Sequence, residues 1–105
     1  MTVTNISERI QARDGVAVVL YSKPQCAQCD LTAGMLDRAG IVYAKVDITQ
    51  DETAYEYVTR SRDEGGLGFQ QAPVVYVSTI DGDLDWAGFR PDLIKTHITD
   101  RADAA

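Results

Sequence analysis

Two cysteines, two residues apart, are the groups in this chain best suited to chemistry. They lie in Lys23-Pro24-Gln25-Cys26-Ala27-Gln28-Cys29. The apolar run Val16–Tyr21 precedes them and a stretch with helical spacing follows. Strand, tight loop with Cys-x-x-Cys, then helix is the setting in which such a pair carries out thiol–disulfide exchange. On the first turn of a helix Cys29 lies beneath Cys26, so their sulfurs can bond and part without unfolding the domain. The attacking species must be a thiolate, and an ordinary thiol, with a pKa of about 8.5, is only slightly ionised at neutral pH. At a helix N-terminus Cys26 meets unpaired backbone N–H groups and the positive end of the helix dipole, and both favour the anion. Lys23 adds a cation just upstream. Cys29 lies deeper and beside Asp30, whose charge disfavours ionisation. Cys26 is therefore expected to attack and Cys29 to resolve.

Other uses of the pair fit less well. A structural disulfide here would close too small a loop to constrain the unfolded chain much. A structural zinc site needs four ligands, and the chain offers two cysteines and one distant His97. Sharing a metal or iron–sulfur cluster between two chains would require a dimer, and such a carrier is the non-enzymatic alternative.

The elements that must hold the pair can be read from the pattern. At 105 residues, 45% of them apolar, the chain is expected to form one domain over residues 1–105. Asn5-Ile6-Ser7-Glu8 has the form of a capping box, which predicts a helical extension within residues 1–15. Val16–Tyr21 reads as a strand buried on both faces. From Ala27 to Ala39 the apolar positions Ala27, Leu31, Met35, Leu36 and Ala39 follow helical spacing, and Gly40 stands where a C-terminal glycine belongs. Val42 to Ile48 alternates as a strand, and Thr49-Gln50-Asp51-Glu52 reads as a second capping box. Ala54, Tyr57, Val58 and Ser61 form the inner face of the next helix. This spacing implies a parallel, right-handed βαβ unit. Arg62–Gly68 is loop, Val74–Val77 a buried strand, Asp81-Gly82 a hairpin turn and Leu84–Gly88 the returning strand. Pro91 opens a closing helix with Leu93, Ile94 and Ile98 inward, and residues 100–105 should form a flexible tail. The order matches an α/β, thioredoxin-like fold: a four-stranded mixed sheet with helices on both faces.

Composition excludes some partners. A net charge of −6 and a pI near 4.5 set the chain against nucleic acid and anionic membranes. Met1-Thr2-Val3 does not open a cationic, then apolar, export segment, and no apolar run is long enough to span a bilayer. A reducing cytoplasm is the expected compartment, where a cysteine pair is more often catalytic than structural.

Pro73 precedes a buried strand, where proline fits only at the first residue. On this fold it lies opposite the cysteine loop; the residues leave open whether its bond to Ala72 is cis or trans. A cis bond would present Val74 backbone groups to an incoming disulfide. Trp86-Ala87-Gly88-Phe89-Arg90-Pro91 is a second dense patch. Its Trp and Phe suit a core, while Arg90 could bond backbone carbonyls. Tyr21 packs beside the cysteine loop, and His97 has no assigned role. Gly65, Gly66 and Gly68 lack the strand and the Gly-Lys-Ser/Thr ending of a phosphate cradle. Asp81, Asp83 and Asp85 lack the glycine and closing glutamate of a calcium loop, so they are expected to be solvated.

Cys26-Ala27-Gln28-Cys29, Gln71-Ala72-Pro73-Val74 and Trp86-Ala87-Gly88-Phe89-Arg90-Pro91, taken in order, resemble the NrdH redoxins. The likeness runs from about Val16 to Lys95 and includes Lys45-Val46-Asp47-Ile48-Thr49-Gln50-Asp51. That family is glutaredoxin-like in sequence and thioredoxin-like in activity. The resemblance implies Cys26 as nucleophile, Cys29 as resolving thiol and Pro73 as the cis-proline of a substrate groove. Lys23, Pro24, Gln28, Ala72 and Val74 would frame the groove, with Trp86, Gly88, Phe89 and Arg90 packed behind. It also implies a monomer that binds no cofactor, is reduced by NADPH-dependent thioredoxin reductase, and supplies electrons to a class Ib ribonucleotide reductase. The chain has no dinucleotide fingerprint, so NADPH would act through that reductase. Three features depart from the family: Ala27 in place of Met or Val, the segment before Val16, and an apparent insertion at Arg62–Gly66. The nearest alternative is a glutaredoxin-type enzyme using glutathione or another small thiol. Its Gly-Gly-x-x-Asp ligand site is replaced here by Gly88-Phe89-Arg90-Pro91-Asp92, in which only Asp92 and one glycine survive.

Overall fold

The computed structural model describes residues 16–99. The expected N-terminal helix, the boundary of an extension at residues 1–15 and the tail at residues 100–105 lie outside the described residues. Within the described range the sheet holds four strands, β1 (Val16–Ser22), β2 (Ala44–Asp47), β3 (Val74–Thr79) and β4 (Gly82–Ala87), in the order β2-β1-β3-β4. β1 and β2 run parallel, and both other pairings are antiparallel. The helices are α1 (Ala27–Arg38), α2 (Glu52–Thr59) and α3 (Pro91–Ile94), the last continued by a widened turn over Lys95–Thr99. This is the thioredoxin-like α/β arrangement.

The period of two along each strand divides the molecule into two cores. Val16, Val18 and Leu20 of β1, Val75 and Val77 of β3, and Trp86 of β4 face one side, where Ala33 and Leu36 of α1 and Ile94 and Ile98 cover them. Tyr21 and Val74 face the other side, packed with Val58 of α2 and with Leu67. There Tyr57 lies between the rings of Tyr21 and Tyr76, with centroids 6.2 and 6.5 Å away.

Core packing sets the buried face of α1, and three local expectations are corrected. The buried face of α1 is Cys29, Thr32, Ala33 and Leu36, while Leu31 is 51% exposed. The reason is that Ala33 and Leu36 pack into the first core, which turns Leu31 outward. Thr32 can then turn inward because its hydroxyl donates to the Gln28 carbonyl at 2.8 Å. Next, β2 is shorter than the alternation from Val42 to Ile48: β1 supplies partners only for Ala44–Asp47, and Val42 is exposed. Thr49 does not cap α2. Asp47 takes its N–H and hydroxyl, and Asp51 caps instead, accepting the Ala54 N–H at 3.0 Å. Ser61 is exposed and donates to Glu64 rather than facing the core. Gly40, with φ of 72°, does close α1 as expected: Gly40 and Ile41 donate to the Asp37 and Leu36 carbonyls, both at 3.0 Å.

The segment after α2 folds back on that helix's end. The N–H groups of Leu67, Gly68 and Phe69 donate to the Tyr57, Arg60 and Val58 carbonyls, which satisfies acceptors the helix leaves open. The fold-back is so tight that a Cβ on Gly66 would lie 2.2 Å from the Arg60 carbonyl oxygen. Gly66→Ala is therefore expected to lose about 3 kcal/mol, the upper end for overpacking, as a lower urea midpoint at unchanged slope.

Candidate active site

β1 delivers its chain directly into the cysteine loop. Gln25 takes a left-handed φ of 55°, and Cys26 returns to extended backbone as the N-cap of α1. The Cys26 Sγ accepts the Cys29 N–H at 3.1 Å, and the Cys26 carbonyl accepts the Asp30 N–H at 3.1 Å. Cys26 and Cys29 form a disulfide with their Cα atoms 5.2 Å apart. Cys26 keeps 9% of its surface exposed and Cys29 only 1%, so the sulfur that an incoming group can meet belongs to Cys26.

The sheet register sets what faces that sulfur. Tyr21 pairs with Val74, so the end of β1 lies beside the start of β3. This brings Ala72 to the cysteine loop, with its carbonyl oxygen 4.0 Å from Cys26 Sγ. The Ala72–Pro73 bond is cis, the isomer that the family resemblance implies, and both Pro73 and Val74 are fully buried. β4 lies next: Val74 pairs with Ala87, and the Gly88 N–H donates to the Pro73 carbonyl at 2.8 Å. Gly88 has φ of 87°, where a side chain would be strained. Gln28, between the two cysteines, closes the circuit by accepting the Phe89 N–H on Oε1 at 3.1 Å. The cysteine helix, the Pro73 turn and the loop after β4 thus meet through hydrogen bonds.

Trp86 is not at this rim. It is 5% exposed in the first core, with its ring centroid 6.2 Å from that of His97. Among the described residues the partner of the Arg90 side chain is a carboxylate rather than a backbone carbonyl. Asp92, two residues on, offers a carboxylate that matches the guanidinium fork, and Arg90 donates to both its oxygens at 3.1 and 2.9 Å. The same bonds hold Asp92 below the usual carboxylate range and raise Arg90. Asp83 and Asp85 are more than solvated turn residues: the Tyr76 hydroxyl donates to Asp83, and Arg62 pairs with Asp85.

Lys23 and Pro24 are exposed on the cysteine loop. Lys23 helps to line a cleft of about 670 Å³ bounded by residues 48–50, by α2 and by residues 69–72. Ile48, Val58, Tyr55 and Phe69 supply its apolar wall, and Ala72 forms the end nearest Cys26. The residue pattern alone does not single out Tyr55 and Phe69. The available signal was an aromatic beside the inward Ala54 on a short helix, and another directly before Gln70-Gln71-Ala72. Among the described residues, no group of three or more His, Cys, Asp or Glu side chains is placed to hold a metal ion. Among them, too, no helix is long and apolar enough to cross a membrane.

Comparison with known proteins gives a consistent result. The glutaredoxin family model matches residues 18–83. The glutaredoxin-like protein NrdH of Escherichia coli strain K12 is 32% identical over 78 residues, 74% of this chain and 84% of that protein. The solved structure of the Escherichia coli NrdH-redoxin, a glutaredoxin-like protein described as having a thioredoxin-like activity profile, aligns with a TM-score of 0.59. That alignment covers 76% of this chain and 92% of the other at 32% identity. Chloroplastic thioredoxin z aligns over 100% of this chain and 93% of its own, with a TM-score of 0.65 and 19% identity, and so is similar in fold.

Proposed function

We propose, for a chain that belongs to the glutaredoxin family and to its NrdH-type members, that it carries electrons from thioredoxin reductase to a class Ib ribonucleotide reductase. The chain is a thiol–disulfide oxidoreductase. In the proposed cycle the Cys26 thiolate attacks one sulfur of a partner disulfide. That S–S bond breaks, the other partner sulfur leaves as a thiolate and takes a proton, and a mixed disulfide remains. Cys29 gives up its proton and attacks the Cys26 sulfur. The partner's second thiol is released, and the Cys26–Cys29 disulfide remains. Two electrons and two protons have passed to the partner. NADPH supplies the returning pair through the reductase, and this chain holds no cofactor of its own.

One observation carries the assignment of roles: Cys26 Sγ caps α1 and accepts the Cys29 N–H at 3.1 Å. A donor aimed at that sulfur stabilises a thiolate there and makes Cys26 the better attacker and leaving group. Lys23 adds positive potential. Pro24, Ala72, Pro73 and Val74 frame the place where the partner's sulfur sits, and Gln28 ties it to the Gly88–Arg90 loop. Trp86 supports that loop from the core. The compartment proposed is a reducing cytoplasm, and the working form a monomer.

The Arg90–Asp92 pair favours a protein partner over glutathione, because the one carboxylate retained from the small-thiol site is already engaged. The test is turnover of a protein disulfide in two cycles, one with NADPH and thioredoxin reductase, the other with NADPH, glutathione reductase and glutathione. Activity in the first and not the second is expected. Activity only with glutathione would replace this reading with the small-thiol one.

A further inference from the structure

The second exchange needs a route for a proton. Cys29 must shed its thiol proton to attack the Cys26 sulfur, and only 1% of its surface is exposed. Burial also favours the neutral thiol. The route therefore starts inside the fold, between the sheet and the inward face of α1 that carries Cys29 and Thr32. Thr32 does not carry the proton onward, because its own hydroxyl is committed to the Gln28 carbonyl at 2.8 Å.

Ser22, the last residue of β1, lies on the same side of the sheet. Val16, Val18 and Leu20 face the first core beneath α1, and the period of two puts Ser22 on that face. It is 5% exposed, a buried hydroxyl ending a row of aliphatic side chains. Its neighbours in β2 share the face: Lys45 pairs with Leu20, and Asp47 with Ser22. With Lys23 and Asp30 these residues line a polar pocket of about 330 Å³, room enough for water. The two carboxylates there differ. Asp47 accepts the Thr49 N–H and hydroxyl at 2.8 and 2.6 Å, which holds it below the usual carboxylate range and makes it a poor proton acceptor. Asp30 directly follows Cys29 on α1 and opens onto the same pocket.

We propose that the Ser22 hydroxyl relays the proton of Cys29 into this pocket, where the Asp30 carboxylate accepts it. The S–H proton passes to the Ser22 oxygen while the Ser22 O–H proton passes, through pocket water, to Asp30 and then to solvent. The electron pair left on the Cys29 sulfur forms the bond to Cys26. The bond between Cys26 and the partner breaks with its pair on the partner's sulfur. The route runs in reverse when a reductase opens the Cys26–Cys29 disulfide and Cys29 regains its proton. The proposal rests on the reading of Cys29 as the resolving thiol.

The test mixes the reduced full chain with dithiobis(nitrobenzoate), a symmetrical disulfide whose thiolate product is coloured. Attack by Cys26 releases the first coloured thiolate at a rate that scales with reagent concentration. Resolution by Cys29 releases the second at a rate that does not. The second rate constant is followed from about pH 6 to about pH 9, across the ordinary thiol range, with the first release as internal reference for folded, reactive protein. Wild type is expected to vary little over the lower half of that range, because the proton has an acceptor. Ser22→Ala should resolve about tenfold more slowly near pH 6 and converge on wild type near pH 9, where Cys29 ionises directly. Ser22→Thr, which keeps a hydroxyl, should retain most of the low-pH rate. Asp30→Asn should also lose about tenfold near pH 6. Removing its charge alone would favour the Cys29 thiolate and speed the step, so such a fall reports the lost acceptor. A wild-type rate in Ser22→Ala near pH 6, equal slowing of that variant at every pH, or faster resolution in Asp30→Asn overturns the proposal. No second release from wild type would remove the resolving role of Cys29 as well, whereas release that neither variant slows removes only the relay.

Discussion

Cys26→Ser is expected to lower disulfide-reducing turnover by at least about a thousandfold while leaving the fold intact. A serine hydroxyl is scarcely ionised at neutral pH and cannot form the mixed disulfide, so the first exchange has no route. The position tolerates the change structurally. Cys26 is the N-cap of α1, a site where serine is among the preferred residues, and the Cys29 N–H at 3.1 Å remains available to its hydroxyl. The loss should therefore appear in turnover and not in the urea midpoint of the reduced protein. Activity within about tenfold of wild type would mean that another group makes the attack.

Cys29→Ser should separate the two exchanges. The first survives, because Cys26 keeps its place, its backbone donor and its access to solvent. The second does not, because the buried sulfur beneath it is gone, so the mixed disulfide accumulates. Turnover with a protein disulfide and thioredoxin reductase is expected to fall by about a hundredfold or more. Intact-mass analysis should find a one-to-one covalent adduct that excess dithiothreitol dissolves. The same variant distinguishes the glutathione alternative, since an external thiol could resolve the adduct and turnover would continue. Rapid turnover of Cys29→Ser with glutathione present would favour that alternative.

What could be read from the residues alone depended on how local the signal was. The Cys-x-x-Cys pair and the apolar β1 and β3 carry their structure in short stretches and lie where their patterns indicate, while the hairpin turn falls one residue earlier than Asp81-Gly82, at Ile80 and Asp81, because Gly82 already pairs with Thr79 in β4. Local pattern failed where a side-chain bond or a neighbouring strand overrode it. β1 pairs only with Ala44–Asp47 and leaves Val42 exposed, and Asp47 takes Thr49 so that the cap of α2 moves to Asp51. Arg90 was legible as a residue needing a polar partner but not which one, because a carboxylate two residues on competes with every nearby carbonyl. The cleft was hidden altogether. It is assembled from β2's end, α2 and the return segment, and the pairing of Arg62 with Asp85 spans elements that no local pattern connects.

The central claim, that the Cys26–Cys29 pair hands two electrons to a protein disulfide, is tested most directly by a single turnover. The reduced full-length chain is mixed with an equal amount of oxidised insulin, and the reaction is stopped with an alkylating reagent before both proteins are weighed. Two new thiols are expected in the partner for every Cys26–Cys29 disulfide formed, with Cys26 and Cys29 protected from the reagent together. Partner thiols appearing while both cysteines remain alkylated, or no partner thiols at all, would contradict it.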